Sequence, residues 1–133
     1  MLHRSFAWVA AIALAACFNN PTGPDAAVGT PFELKLGAIA SLPDSAKLRF
    51  DNVRSDSRCP IDAVCIRAGE AIIAVTLMRG TGNEARELQT VPAQSQFSYS
   101  KYSVRLTELQ PYPRASAPSK PEDYVGTFVV QTQ

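Results

Sequence analysis

The sequence predicts an all-β domain, a small antiparallel sandwich or barrel of about six or seven strands with one disulfide. Two observations carry this. Apolar residues recur with a period of two through much of the chain, and after the first residues no stretch holds a capped 3.6 period. Turn-forming glycine, proline and asparagine separate the alternating runs, which adds a third.

The chain starts differently. Met1–Arg4 is short and basic, and Phe6–Leu14 is an unbroken apolar run. A permanent membrane span needs about 20 apolar residues, so this run is too short; basic, apolar and small residues in that order make a secretory signal peptide. Leu14-Ala15-Ala16-Cys17 resembles the lipobox of bacterial lipoprotein signal peptides. That resemblance implies a leader over 1–16, with Cys17 as the first mature residue. Fatty-acyl chains such as palmitate on Cys17 would attach the protein to a membrane. In that family the residue after the cysteine influences sorting. Phe18, in place of an inner-membrane-retaining Asp, favours the outer membrane where the cell has one.

Residues 17–31 follow as an expected tether. Phe18–Pro31 holds three prolines and two glycines among small polar residues, too few apolar positions to bury a face. The β domain is therefore expected over 32–133. Phe32, Leu34 and Leu36 alternate with Glu33 and Lys35, and Leu48 and Phe50 with Arg49 and Asp51. Ala71–Met78 is apolar on both faces and is expected to be a central strand, closed by the Arg79–Asn83 turn, with Glu84–Val91 returning beside it. Tyr102, Val104 and Leu106 alternate again. Pro111–Asp123, with its four prolines, is expected as a surface connection, and Tyr124–Val130 as the last strand.

With Cys17 lipidated, Cys59 and Cys65 remain outside the reducing cytoplasm, where pairing is the default. The seven-residue ring would be a structural staple. A redox role suits it poorly, because redox dithiols sit as Cys-x-x-Cys at a helix start. Asp56-Ser-Arg-Cys-Pro60, then Cys65, then Ala68-Gly-Glu-Ala71 resembles a segment of small secreted proteins and lipoproteins of unknown function from diverse bacteria. Tyr102–Leu106 and Pro111–Pro113 are similar to later parts of those proteins, so the resemblance covers most of 32–130. It implies a shared β domain and supplies no activity. An aromatic residue often precedes Ala-Gly there; this chain has Arg67, so no binding role transfers to that position.

Six charged residues surround the ring: Arg54, Asp56, Arg58, Asp62, Arg67 and Glu70. Asp56 and Arg58 point the same way from an extended segment and can share hydrogen bonds. Two readings stay open, an internal ion-pair network holding the loop and a recognition patch for a partner.

Removing Arg4 with the leader leaves 12 basic residues (13 − 1) against 12 acidic. A balanced chain has no broad attraction to nucleic acid, and none is expected as a partner. The only histidine, His3, leaves with the leader, taking away the commonest general base and metal ligand. Asp51, Asp56, Asp62 and Glu70 lack the glycine and acid spacing of a calcium loop. Ser57 has no evident base, and Ser116–Lys120 lies in the proline-rich segment. Tyr99, Tyr102, Tyr112 and Tyr124 suit either a binding surface or sheet packing.

The expectation is a non-catalytic, cofactor-free, lipid-anchored envelope protein. Its β domain would bind another envelope protein or a small ligand, with the membrane held through Cys17. The alternative is a protease inhibitor presenting the Cys59–Cys65 ring or the Pro111–Asp123 loop, since a clamped loop loses less entropy on docking. Ring residues Pro60–Val64 offer no basic anchor for a trypsin-like enzyme.

Overall fold

Period-two alternation buries one side of each strand, and two such faces need each other. A computed structural model describes residues 22–133, and the leader and Cys17 lie outside the described residues. Nine strands follow in order: β1 (Thr22–Asp25), β2 (Phe32–Lys35), β3 (Ile39–Ser41), β4 (Lys47–Asp56), β5 (Ala71–Arg79), β6 (Gly82–Gln89), β7 (Gln96–Tyr99), β8 (Tyr102–Gln110) and β9 (Val125–Thr132). They form a five-stranded sheet, β1-β3-β4-β5-β6, and a four-stranded sheet, β2-β9-β8-β7. The two pack face to face as a sandwich, the first of the two architectures the alternation allowed.

The core is drawn from the alternating positions. Leu34, Leu48, Phe50, Ile73, Val75, Leu77, Tyr102, Val104, Phe128 and Val130 are buried between the sheets. Phe50 of one sheet meets Phe128 of the other edge to face, with ring centroids 5.9 Å apart, an arrangement that suits the ring quadrupoles. Tyr102 carries its hydroxyl through the core rim to the Pro43 carbonyl, 2.8 Å away.

The strand expected over Ala71–Met78 is interior, flanked by β4 and β6, and its outer face is partly covered. One expectation needs correction: strand structure begins before Phe32, because β1 falls inside the segment expected as tether. It pairs in parallel with β3. Gly23 makes this possible: a Cβ there would sit 2.7 Å from the Ile39 carbonyl oxygen and 2.9 Å from Leu34 Cδ1. Pro24 is tolerated because β1 is an edge strand. Ala26 is buried and donates its N–H to Ser41, 2.8 Å, and Gly29 donates to Val130, 2.7 Å.

Several connections gather at one end of the sandwich. The loop 57–70 joins β4 to β5, 90–95 joins β6 to β7, and 111–124 joins β8 to β9. The β4–β5 ladder runs out to Asp56 opposite Ala71, and Thr90 N–H bonds the Ala71 carbonyl at 3.1 Å. The segment 111–124 contains a short bridge between Arg114 and Ala117 and a 3-10 turn over Pro121–Asp123.

Candidate functional site

The loop after β4 continues the hairpin briefly. Ser57 N–H bonds the Glu70 carbonyl and Cys59 N–H the Ala68 carbonyl, both at 2.8 Å. Gly69 lets the two strands close: its φ is +66°, and a Cβ there would lie 1.9 Å from the Ser57 carbonyl oxygen. The Ser57 hydroxyl donates to the Glu70 carbonyl at 2.8 Å and accepts from the Glu70 N–H at 3.2 Å, so it staples backbone. Beyond this ladder the chain makes the disulfide ring, Cys59–Cys65, with Cα atoms 5.8 Å apart, well within disulfide reach.

Beneath the ring lies a buried charge pair. Arg58 Nε donates to Asp56 Oδ1 and Arg58 Nη2 to Asp56 Oδ2, both at 2.8 Å. Arg58 also reaches the other sheet, donating from Nη1 to the Leu109 carbonyl at 2.6 Å and from Nη2 to the Pro111 carbonyl at 2.9 Å. The Tyr124 hydroxyl donates to Asp56 Oδ2 at 3.0 Å, and the Tyr112 ring lies 4.6 Å from the guanidinium carbon. The Arg58 and Asp56 side chains are 5% and 9% exposed. All but one of the guanidinium N–H donors are occupied.

Electrostatics follow from that geometry. Burial pushes the Asp56 carboxyl up, but the hydrogen bonds and charge of Arg58, with the Tyr124 hydroxyl, outweigh it and hold the carboxyl below its ordinary range. Burial works against the Arg58 charge too, and Asp56 overcomes it, so the guanidinium is held above its usual value. Tyr124 is pushed up by burial and by Asp56.

The six charged residues do not converge. Arg54 pairs on the surface with Glu87 of β6, Nε to Oε1 at 3.2 Å. Asp62 points from the ring to the segment 111–124, accepting the Ala115 N–H at 2.7 Å and the Ser116 hydroxyl at 2.9 Å. Those bonds lower the Asp62 carboxyl. Arg67 stands exposed, while Glu70 serves the hairpin through its backbone. Asp56 and Arg58 thus belong to an internal network that ties the ring to both sheets, and Asp62 adds a surface tie. The remaining acid considered for calcium, Asp51, accepts from Thr76 Oγ1 at 2.6 Å and from Arg49. Among the described residues no three His, Cys, Asp or Glu side chains converge as a metal group. Of the tyrosines, Tyr102 and Tyr124 pack inward, and Tyr112 is 47% exposed at the rim beneath the ring.

What the loop presents outward is apolar. Ile61 is 56% exposed, and Val64 and Ile66 are wholly exposed. The ring is fixed from behind by Ile61 N–H donating to the Pro113 carbonyl, 3.0 Å, and by the Ala63 N–H to Pro60 turn, 3.1 Å. Charge, which marks this loop in the sequence, serves mainly its base. The aliphatic residues between and beside the two cysteines form its tip, and their signal is apolar character inside a loop rather than within an alternating run. Among the described residues no helix is long and apolar enough to cross a membrane. No family model, curated protein or solved structure matches this chain.

Proposed function

We propose that this protein is a lipid-anchored, non-catalytic contact module of the cell envelope, presenting the disulfide-closed loop to another envelope component. One observation carries the reading: Val64 and Ile66 stand fully exposed on a loop whose base is locked by Arg58 and Asp56. A rigid sheet end with an apolar tip is suited to contact, since a loop held at its base loses less backbone entropy when it docks. Arg58, Asp56 and Ser57 are engaged in holding the loop, which leaves them poorly placed for acid–base or nucleophilic work. The lipobox at Leu14–Cys17 supports the anchor.

The anchor is tested by Cys17→Ser in the native host. The protein is expected to lose its fatty-acid mass and leave the membrane fraction; unchanged mass and fractionation reject the reading. Contact is tested with a photo-crosslinking residue at 64 and, as control, at Thr81 in the β5–β6 turn. Adducts at position 64 alone are expected, and equal yields at both positions count against the loop as contact surface.

The same exposed, stapled ring also favours a second reading, protease inhibition, with Val64 offered to an enzyme whose pocket takes small aliphatic side chains. Titration against elastase-like enzymes separates the two. An inhibitor gives stoichiometric loss of activity with the ring intact, whereas a contact module gives none.

A further inference from the structure

We infer that the partner of the Ile61, Val64 and Ile66 tip is the bilayer surface to which Cys17 is attached, a step that rests on the anchor reading. The strand register sets the direction. β1 starts at Thr22, which pairs with Ile39, and Ile39 pairs with Arg49 of β4. β1 runs parallel to β3 and antiparallel to β4, so the start of β1 faces the end of the sandwich that carries the loop 57–70 and its apolar tip.

Length turns this into a constraint. Cys17 is five residues from Thr22, a covalent reach of about 17 Å at most. Asp56 lies seven residues beyond Arg49 along β4, but two bulges compress that stretch to the five steps of β5 from Thr76 to Ala71, roughly 17 Å further toward the same pole, and the ladder and ring extend past Asp56 through the Ser57–Glu70 and Cys59–Ala68 bonds. The tip thus projects beyond Thr22 by more than the anchor can span. With Cys17 at the lipid surface, the pole cannot clear the bilayer while upright. It either dips in by several ångströms, the depth at which interfacial segments sit (about 5–10 Å), or leans onto it.

Side-chain chemistry fits that contact. Among the described residues nothing covers Val64 and Ile66, and burying each changes a partition constant on the order of tenfold. Arg67 and Arg114 are exposed near the tip, available to anionic headgroups. Tyr112 at the rim is the amphipathic ring favoured at a membrane interface. The one acid of the ring, Asp62, is turned to Ala115 and Ser116. A second copy is a poorer occupant, because three aliphatic side chains fall far short of the roughly 1,200 Å² that a stable interface buries.

The chain's only tryptophan is Trp8, in the leader, so a tryptophan placed in the processed protein reports alone. Lipidated full-length protein carrying Val64→Trp, Ile66→Trp or Thr81→Trp is reconstituted into vesicles of phosphatidylethanolamine and phosphatidylglycerol with brominated acyl chains. Tryptophan at 64 and 66 is expected to shift to the blue and lose more than half its emission, and at 81 to change little. Emission at 64 and 66 unaffected by bromine, in protein that carries the fatty-acid mass and pellets with the vesicles, overturns the proposal and leaves the anchor standing. Shielding of those positions from aqueous iodide without quenching by bromine assigns the tip to a protein or a second copy, and likewise overturns it. Protein lacking the fatty-acid mass removes the anchor reading and the proposal together. The 64 and 66 positions check one another, and their full exposure makes either substitution tolerable to the fold.

Discussion

At the level of single residues, the Arg58–Asp56 pair decides how the loop is held. Two charges removed from water are tolerable only when paired and hydrogen-bonded, and removing one partner leaves the other stranded. Arg58→Met is therefore expected to destabilise the domain by about 3–5 kcal/mol, a large share of an ordinary domain's stability, and to leave the Leu109 and Pro111 carbonyls without their donor. Arg58→Lys is expected to recover only part, since an ammonium cannot fork across Asp56 while reaching two carbonyls. Urea unfolding of both variants checks the order. The same pair gives a pH dependence. Because the Asp56 carboxyl is held below its ordinary value, its stabilisation is fully present above the unfolded value of about 3.9 and is lost as pH falls through the lower folded value. Tyr124, held above its ordinary value, acts oppositely: its contribution is present below the unfolded value of about 10 and is lost as pH rises through the folded one. The stability difference between the unmodified protein and Asp56→Asn is expected to be flat from about pH 5 to 8 and to shrink below about pH 4. A difference that keeps its full size at pH 2 rejects the assignment.

At the level of elements, Gly69 and the disulfide protect different parts of one hairpin. Gly69→Ala both strains a positive φ and drives a Cβ into the Ser57 carbonyl, so a loss of about 2 kcal/mol or more is expected. Hydrogen exchange locates it: the Ser57 and Cys59 amides, bonded to Glu70 and Ala68, should lose protection before the β8–β9 ladder does. Opening the ring with Cys59→Ser and Cys65→Ser is expected to cost about 2 kcal/mol by loop entropy and to leave the ladder amides protected. Elements also show what a single sequence reveals. β4, β5, β8 and β9 are long enough for alternation or apolar runs to declare them, and β6, mostly polar, is declared by the turn at Gly80 that returns it beside β5. β1, β3 and β7 hold four, three and four residues, too few for a period to show, and the Thr-Gly-Pro-Asp of β1 carries loop composition. Its place is fixed by the close approach at Gly23, a tertiary fact. Asp56 with Arg58 was legible from spacing. Their reach to Leu109, Pro111 and Tyr124, more than fifty residues away, was not, nor was the exposure of Val64 and Ile66, because burial depends on what folds beside them.

At the level of the whole molecule, the sandwich is a rigid spacer whose two ends differ. One end gathers 57–70 and 111–124; the other carries the β5–β6 turn and the Lys101 carbonyl that receives Gln133 N–H at 2.8 Å. If a short tether presses the first end onto the bilayer, tether length should control how much time the tip spends there. Inserting 20 Gly/Ser residues between Cys17 and Thr22 adds a root-mean-square reach of roughly 25 Å, enough to let the pole lift clear. The effective concentration of tip at the lipid surface falls with tether length, about as its −3/2 power. Bromine quenching of tryptophan at 64 is then expected to drop by at least half, while the fatty-acid mass and vesicle pelleting stay unchanged. Adding Val64→Asp and Ile66→Asp to the short-tethered protein is expected to mimic that release, because a carboxylate resists transfer from water, with quenching followed from a tryptophan at the neighbouring Ile61. Quenching indifferent to both tether length and tip charge places the molecule on the membrane by some other face, and the strand register that turns the start of β1 toward the pole of the tip then has no functional consequence.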